Sequence, residues 1–172
     1  MIKHTMKVIA ALGALLSATA HSASGTDLQA MESQLQALGE RIERLEDLTE
    51  VEIVQNAYGY YVDKAQWRSL ADLFDDDATL EIGGKGVFLG KARVFEYMSV
   101  GLGPIGPRDG LLIDHQQFQC LLAIMDDGKT AKARCIAFVM SSGGWGHNYY
   151  EDEFVKEDGV WNQWYENGQL KL

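Results

Sequence analysis

Few residues of this chain have types that could do chemistry, and they favour proton transfer. The four histidines are His4, His21, His115 and His147, and no two of them have the spacing of metal ligands. The sequence also shows no nucleotide-binding glycine fingerprint, no serine nucleophile elbow and no evident Cys–His site. An imidazole exchanges protons near neutral pH without help. We therefore predict no metal and no cofactor, and His115 is either an acid–base group or a core histidine.

The two cysteines lie in two runs that predict a β-hairpin. Residues 112–125 and 130–141 alternate in polarity on either side of Asp127-Gly128, a dipeptide typical of tight hairpin turns. A two-residue turn, or a four-residue loop centred on the same place, puts Cys120 directly opposite Cys135, with Cβ atoms about 5 Å apart. The sequence predicts either a cross-strand disulfide or a reduced, buried pair.

The same register assigns side chains to the two faces of the hairpin. It places His115 on one face with Ile136, Phe138 and Met140, and the cysteines on the other face with Phe118, Leu122, Ala133 and Ala137. We therefore expect an apolar pocket beside His115. Its predicted lining is Met140, Phe138, Ile136, Trp67 and tyrosine side chains, which suits an aromatic or polycyclic substrate.

The first 23 residues have the features of a secretory signal peptide. Lys3 and Lys7 precede an apolar run at residues 8–16 that is short for a bilayer span, and small residues follow at Ala18 and Ala20. We expect an exported protein, periplasmic or secreted, that is not membrane-bound after processing. The formal charge of −10 comes without a basic stripe, so we expect no nucleic-acid partner.

Residues 27–48 predict an amphipathic helical arm. Its apolar positions recur at spacings of three and four, the pattern of a coiled-coil seam: Leu28, Met31, Leu35, Leu38, Ile42, Leu45 and Leu48. Gly39 weakens this helix by about 1 kcal/mol relative to alanine. The helix either packs on its own domain or meets copies of itself in a homo-oligomer, a dimer or a trimer.

Residues 49–172 predict one domain in which helices precede strands. A helix over 49–64 begins at a capping box formed by Thr49 and Glu52. Further elements are helices at 67–74 and 91–98, an acidic turn at Asp75–Asp77, strands at 78–82, 86–90, 147–156 and 160–165, and a loop at 101–110 that is a lid or a plain connection. This order is typical of an α+β fold.

Several of these residues resemble a known family. The run from Tyr58 to Lys64, followed by Trp67, Leu70, Leu73-Phe74 and Asp77-Ala78, is similar to the opening of SnoaL-like proteins, which belong to the nuclear transport factor 2 (NTF2)-like superfamily. The segment 86–91 and the turn at 158–161 are similar to later parts of that family. The resemblance covers residues 40–165 and implies a conical half-barrel, in which a curved antiparallel or mixed sheet wraps around three helices, here with an extra N-terminal helix.

The resemblance implies roles for individual residues. In scytalone dehydratase-like and bile-acid dehydratase-like proteins an aspartate at the end of the first helix orients a histidine on a central strand, and Asp63 and His115 match these positions. Tyr58, Tyr60 or Tyr61 would supply a phenol that polarises a substrate oxygen. A helical wheel places Asp63 opposite Tyr58 and Tyr61, but the family places this aspartate where the helix is ending.

The chain also departs from that pattern in three places. The second histidine of the dehydratases has no counterpart in residues 133–140, and residues 162–172 lack the expected long closing strand. The asparagine of the next strand is expected near Tyr150, with His147 nearby.

These observations predict a cofactor-independent lyase of the dehydratase type that acts on a hydrophobic, aromatic or polycyclic small molecule. The predicted catalytic residues are His115, Asp63, Tyr58 and Tyr60, and the predicted substrate-binding residues are Tyr61, Trp67, Phe138, Met140, His147 and Tyr150. An isomerase or cyclase with the same pair, or a non-catalytic ligand-binding or assembly module, is the alternative.

Overall fold

The computed structural model describes residues 25–171, and the side chains of residues 27–165. The predicted signal peptide lies outside these residues. The helices are α1 (Gly25–Asp63), α2 (Trp67–Ala71) and α3 (Lys91–Glu96), and a π-helical turn (Tyr97–Leu102) follows α3. The strands are β1 (Phe74–Ile82), β2 (Gly86–Leu89), β3 (Ile113–Ile124), β4 (Thr130–Ser141), β5 (Gly144–Glu157) and β6 (Val160–Lys171).

The described strands form one open, mixed sheet in the order β2-β1-β6-β5-β4-β3. Among these pairs only β1–β6 is parallel, and the hairpin pairs are antiparallel. The α+β prediction is therefore confirmed. The prediction that the chain lacks a long closing strand is wrong, because β6 runs to Lys171 and pairs with both β5 and β1.

A single helix, α1, replaces the two helices expected before Trp67. The predicted capping box is wrong, because Thr49 lies inside α1 and its hydroxyl donates to the carbonyl of Leu45, one turn earlier. The chain divides into two compact units after Arg41. In the first unit the described residues are helical, and their side chains from Asp27 onward are exposed.

The acidic run is part of β1 rather than a turn. Phe74 is fully buried and pairs with Gln163 of β6, and pairing resumes at Thr79 after an irregular stretch that contains the three aspartates. The helix expected to reach Phe74 therefore ends at Ala71, because burial of Phe74 in the sheet prevails over local helical periodicity. Lys91 forms a surface ion pair with Asp76.

Two buried clusters occupy the second unit. The larger one contains Tyr58, Val62, Trp67, Leu70, Phe74, Leu80, Met98, Cys135, Ala137 and Tyr150, among others. The smaller one contains Val51, Ile124, Ala131, Ala133, Phe154 and Trp161. Beside it, buried Asp47 accepts hydrogen bonds from Lys156 and from the Trp161 indole. Within residues 25–171 we find no helix that is long and apolar enough to span a bilayer.

Candidate active site

A β-bulge in β3 sets which side chains of the hairpin face the helix. Gln119 has a positive φ of 52°, and the pairing of β3 with β4 shifts by one residue between Phe118 and Leu121. Beyond the bulge the register is the predicted one, and Cys120 is bonded to Cys135 with a Cα–Cα distance of 4.2 Å. Of the two predicted states of the cysteines, the structure contains the disulfide.

Before the bulge the predicted assignment of faces is wrong. His115 pairs with Val139 and Phe118 with Ile136, so His115 shares its face with the cysteines. We call this the inner face, because Gly59 and Gln55 of α1 contact it. Phe118 and Phe138 lie on the opposite, outer face. The reason is that one extra residue at the bulge reverses the alternation of side chains, which a strict two-residue period cannot show.

Asp63 and His115 are in direct contact. The Nδ1 atom of His115 lies 2.7 Å from Oδ1 of Asp63, and the backbone N–H of His115 lies 2.9 and 3.1 Å from the two carboxylate oxygens. Both side chains are largely buried, with exposures of 14% for His115 and 12% for Asp63. Because Asp63 accepts at Nδ1, the proton of a neutral ring belongs on Nδ1, and Nε2 carries the lone pair.

The end of α1 gives Asp63 this position. Asp63 is the last residue of the helix, and Ala65 follows with a positive φ of 48° as the chain turns away. The amide of Gln66 donates to the carbonyl of Tyr61. Asp63 stays on the helical face of Gln55 and Gly59, and this face, rather than the one that carries Tyr58 and Tyr61, lies against β3, which removes the objection based on its helical face.

Two further residues of α1, at four-residue spacing from Asp63, fix the helix against β3. A Cβ atom on Gly59 would lie 3.3 Å from the carbonyl oxygen of His115, so glycine permits this close approach. The Gln55 amide donates to Oε1 of Gln117 at 2.9 Å, and Gln117 donates back to the Gln55 carbonyl at 3.3 Å. Sequence reasoning missed both residues, although the spacing 55, 59, 63 opposite 115 and 117 carries a signal.

The predicted tyrosines of α1 differ in how far they are buried. Tyr58 is buried and makes edge-to-face ring contacts with Phe74 and Tyr150. Tyr61 is half-buried against the larger cluster. Tyr60 is 57% exposed, and its ring lies near the ammonium group of Lys64, so the structure does not place it among the buried residues.

The predicted substrate-binding residues also fall into two groups. Trp67 and Tyr150 belong to the larger buried cluster, and Tyr61 packs against it. On the outer face, by contrast, three others line a cleft of about 730 Å³: Phe138, Met140 and His147, together with Phe118, Trp145 and Ile136. Neither Asp63 nor His115 lines this cleft. The expectation of one pocket that joins His115 to Phe138 and Met140 is wrong, and the bulge at Gln119 is the reason.

Strand β5 adds two buried polar groups that sequence reasoning did not select. Asn148 pairs with Ala137 and points to the inner face, and its side-chain oxygen has no hydrogen-bond partner among the described residues. It lies two residues from Tyr150, close to the expected place of the family's asparagine. Farther along, burial raises the pKa of Asp152 to about 8, an effect that the neighbouring Gln55 side chain partly offsets.

Hydrogen bonds hold the loop between the π-helical turn and β3 beside the end of α1. The Trp67 indole donates to the carbonyl of Gly103 at 2.8 Å, and the amide of Gly106 donates to the carbonyl of Ala65 at 3.0 Å. Trp67 thus connects the turn after Asp63 to this loop. Among the described residues, no three side chains of His, Cys, Asp or Glu form a cluster that could hold a metal ion.

Comparison with known families gives the same fold. The SnoaL-like domain family matches residues 43–164. The chain belongs to this family. The structure is similar to that of an NTF2-like protein with a cystatin-like fold from Novosphingobium aromaticivorans, with a TM-score of 0.66 and 21% identity over 79% of this chain and 89% of that chain. The predicted NTF2-like fold is therefore confirmed.

Two enzyme-like structures share this SnoaL-like fold. One is the hexachlorocyclohexane dehydrochlorinase LinA-type3 from Novosphingobium barchaimii, with a TM-score of 0.65 and 20% identity over 77% of this chain and 91% of that chain. The other is a scytalone dehydratase-like protein from Novosphingobium aromaticivorans, with a TM-score of 0.64 and 17% identity over 77% and 89%. A search of curated proteins finds no match to the sequence.

Proposed function

We propose that this SnoaL-like protein is a cofactor-independent lyase that eliminates a small leaving group from a hydrophobic small molecule. The observation that carries the proposal is the contact between Asp63 and His115. A histidine held at Nδ1 by a carboxylate and largely withdrawn from water is an arrangement suited to a general base. The enzymes with similar folds support a lyase, since one is a dehydrochlorinase and another resembles a dehydratase.

The proposed reaction is an elimination in which His115 moves the proton. Nε2 of His115 removes a proton from a carbon atom of the substrate, and the electron pair of that C–H bond forms a double bond to the neighbouring carbon. The bond from that carbon to the leaving group breaks at the same time. Asp63 stabilises the imidazolium, which returns its proton to the departing hydroxide when the leaving group is water.

Among the predicted tyrosines, Tyr58 is our candidate for polarising a substrate oxygen. It is buried, it lies on the same helix as Asp63, and it belongs to the cluster with Trp67 and Tyr150. Tyr60 has less support for this role, because its ring is exposed. A cyclic, largely apolar substrate is supported by the hexachlorocyclohexane named for the dehydrochlorinase of similar fold.

The experiment is a turnover screen with matched variants. The protein is incubated with panels of cyclic alcohols, hydroxyketones and halides, and the products are analysed by mass spectrometry for loss of water or of hydrogen halide. We expect turnover by the wild type and losses of about 100-fold or more in His115→Ala and Asp63→Asn. Full turnover in both variants contradicts the assigned roles, and a product of unchanged mass indicates an isomerase instead.

We also propose that the protein works outside the cytoplasm, as its predicted signal peptide implies. The Cys120–Cys135 disulfide supports an oxidising compartment. Fractionation of cells that express the full chain tests this location. Recovery of a shortened chain from the periplasm or medium is expected, and an uncut cytoplasmic chain with free thiols contradicts it.

A further inference from the structure

Helix α1 carries an apolar seam that remains exposed. Six apolar side chains at alternating spacings of three and four residues are each between 49% and 66% exposed: Leu28, Met31, Leu35, Leu38, Ile42 and Leu45. In a heptad repeat the first residue of each pair occupies position a and the second occupies position d. One exposed leucine is ordinary on a protein surface, but six along one stripe of a helix are not.

We propose that this seam is an interface for a second copy of the chain and forms a parallel coiled coil. Heptad spacing is the geometry that lets a helix pack against an identical helix by inserting side chains between those of its partner. In the other predicted arrangement the seam packs on its own chain, and self-association would then not depend on the seam. Helices also gain most of their stability from packing of an apolar face, which an unpaired seam would forgo.

The charges beside the last heptad of the seam suit a parallel arrangement of two copies. Arg41 occupies a g position and Glu46 the e position five residues later, so each parallel pair of helices would bring Arg41 of one copy to Glu46 of the other. Antiparallel helices with the same core layers would instead face Arg41 with the neutral Gln34. At the beginning of the seam the same arrangement would bring Asp27 of one copy to Glu32 of the other, an unfavourable acidic pair, so the favourable charge pairing is confined to the last heptad.

The first test is the mass of the full chain in solution, measured by analytical ultracentrifugation across a concentration series. We expect a dimer or trimer for the wild type and a monomer for the double variant Leu35→Glu with Leu38→Glu. The matched control, Ser33→Glu with Ala37→Glu, adds the same charge on exposed positions outside the seam and should associate like the wild type. Circular dichroism and the thermal transition show whether each variant still folds.

Two results overturn the proposal. One is a wild-type chain that stays monomeric at all concentrations, and the other is an oligomer that persists in the folded seam variant, because association would then use another surface. The direction of the helices is tested by exchanging charges. Arg41→Glu and Glu46→Arg should each weaken self-association several-fold, and the double variant should restore it. A double variant weaker than either single variant contradicts the parallel arrangement.

Discussion

Two aspartates, one at the end of α1 and one packed beside it, have different surroundings. Asp63 accepts hydrogen bonds from the backbone and the ring of His115. Asp152, beside Gln55, lies about 12 Å farther back along α1, since eight residues separate Gln55 from Asp63. Neither oxygen of Asp152 has a hydrogen bond of good geometry among the described residues, and burial raises its pKa to about 8.

The difference shows that the donors near a buried carboxyl group, rather than burial alone, decide what that group can do. Asp63 faces N–H groups and is placed to orient a histidine and to stabilise its charge. Asp152 lies beside the amide side chain of Gln55, and burial keeps its carboxyl group protonated up to a higher pH. The first arrangement suits catalysis, and the second makes the stability of the fold depend on pH.

The largest expected effect is a difference in turnover between variants of the two aspartates. Asp63→Asn should lower kcat by about 100-fold or more, because an amide that donates to Nδ1 would place the ring proton on Nε2. Asp152→Asn should retain kcat within about threefold, since it keeps the shape of the residue and supplies a neutral group. Kinetics with a substrate from the screen measures both variants.

A second measurement follows the ring itself. Nitrogen NMR of His115 should show the proton on Nδ1 in the wild type and in Asp152→Asn, but not in Asp63→Asn. Equal losses of activity in the two asparagine variants would show that both aspartates serve the same site, which would remove the distinction between them.

The next effect is a pH dependence of stability caused by Asp152. The pKa of Asp152 is about 8 in the folded chain, against 3.8 for an ordinary aspartate, so between these pH values the folded state holds one proton more than the unfolded state. Its contribution to stability is complete below 3.8 and is lost as the pH rises towards about 8. Relative to the wild type, Asp152→Asn should therefore gain on the order of 1 kcal/mol per pH unit across this range.

Asp47 provides a control of opposite sign. Burial raises the pKa of this carboxyl, but hydrogen bonds from Lys156 and Trp161 outweigh that effect and leave the pKa below its ordinary value. Asp47→Asn should lose stability above pH 3.8, and the loss should fade as the pH drops through the folded pKa. Urea unfolding at a series of pH values measures both variants. A constant difference between Asp152→Asn and the wild type would contradict a protonated Asp152.

A smaller effect tests how α1 is held beside His115. In Gly59→Ala the new methyl group would press on the His115 carbonyl, and we expect turnover to fall about three- to tenfold as the Asp63–His115 contact is displaced by tenths of an ångström. The helix propensity of alanine adds about 1 kcal/mol, which offsets part of the packing cost. Gly39→Ala is the matched control, because nothing lies within 4 Å of its added Cβ atom, and it should leave turnover unchanged.

The sequence predicted much of the fold and part of the site for identifiable reasons. The Asp127-Gly128 turn defined the β3–β4 hairpin and brought Cys120 opposite Cys135, because a tight turn sets the register near it. The pairing of Asp63 with His115 came from the family resemblance rather than from periodicity. The bulge had no sequence signal, because Gln119, the residue with a positive φ, is not a glycine. The side chains of β3 that precede the bulge were therefore assigned to the wrong faces of the hairpin.

The smallest expected effect uses two adjacent residues on opposite sides of the sheet. Gln117 points to the inner face and exchanges hydrogen bonds with Gln55, whereas Phe118 lies on the outer face with 44% of its surface exposed. Gln117→Leu should lower both turnover and stability, because it leaves the buried Gln55 amide without its partner. Phe118→Ala should change turnover by less than about twofold, since it removes only outer-face contacts. If Phe118→Ala instead lowered turnover as much as Gln117→Leu, the substrate would have to bind in the outer cleft. The outer face of β3, and not the inner face that carries His115, would then be the catalytic one.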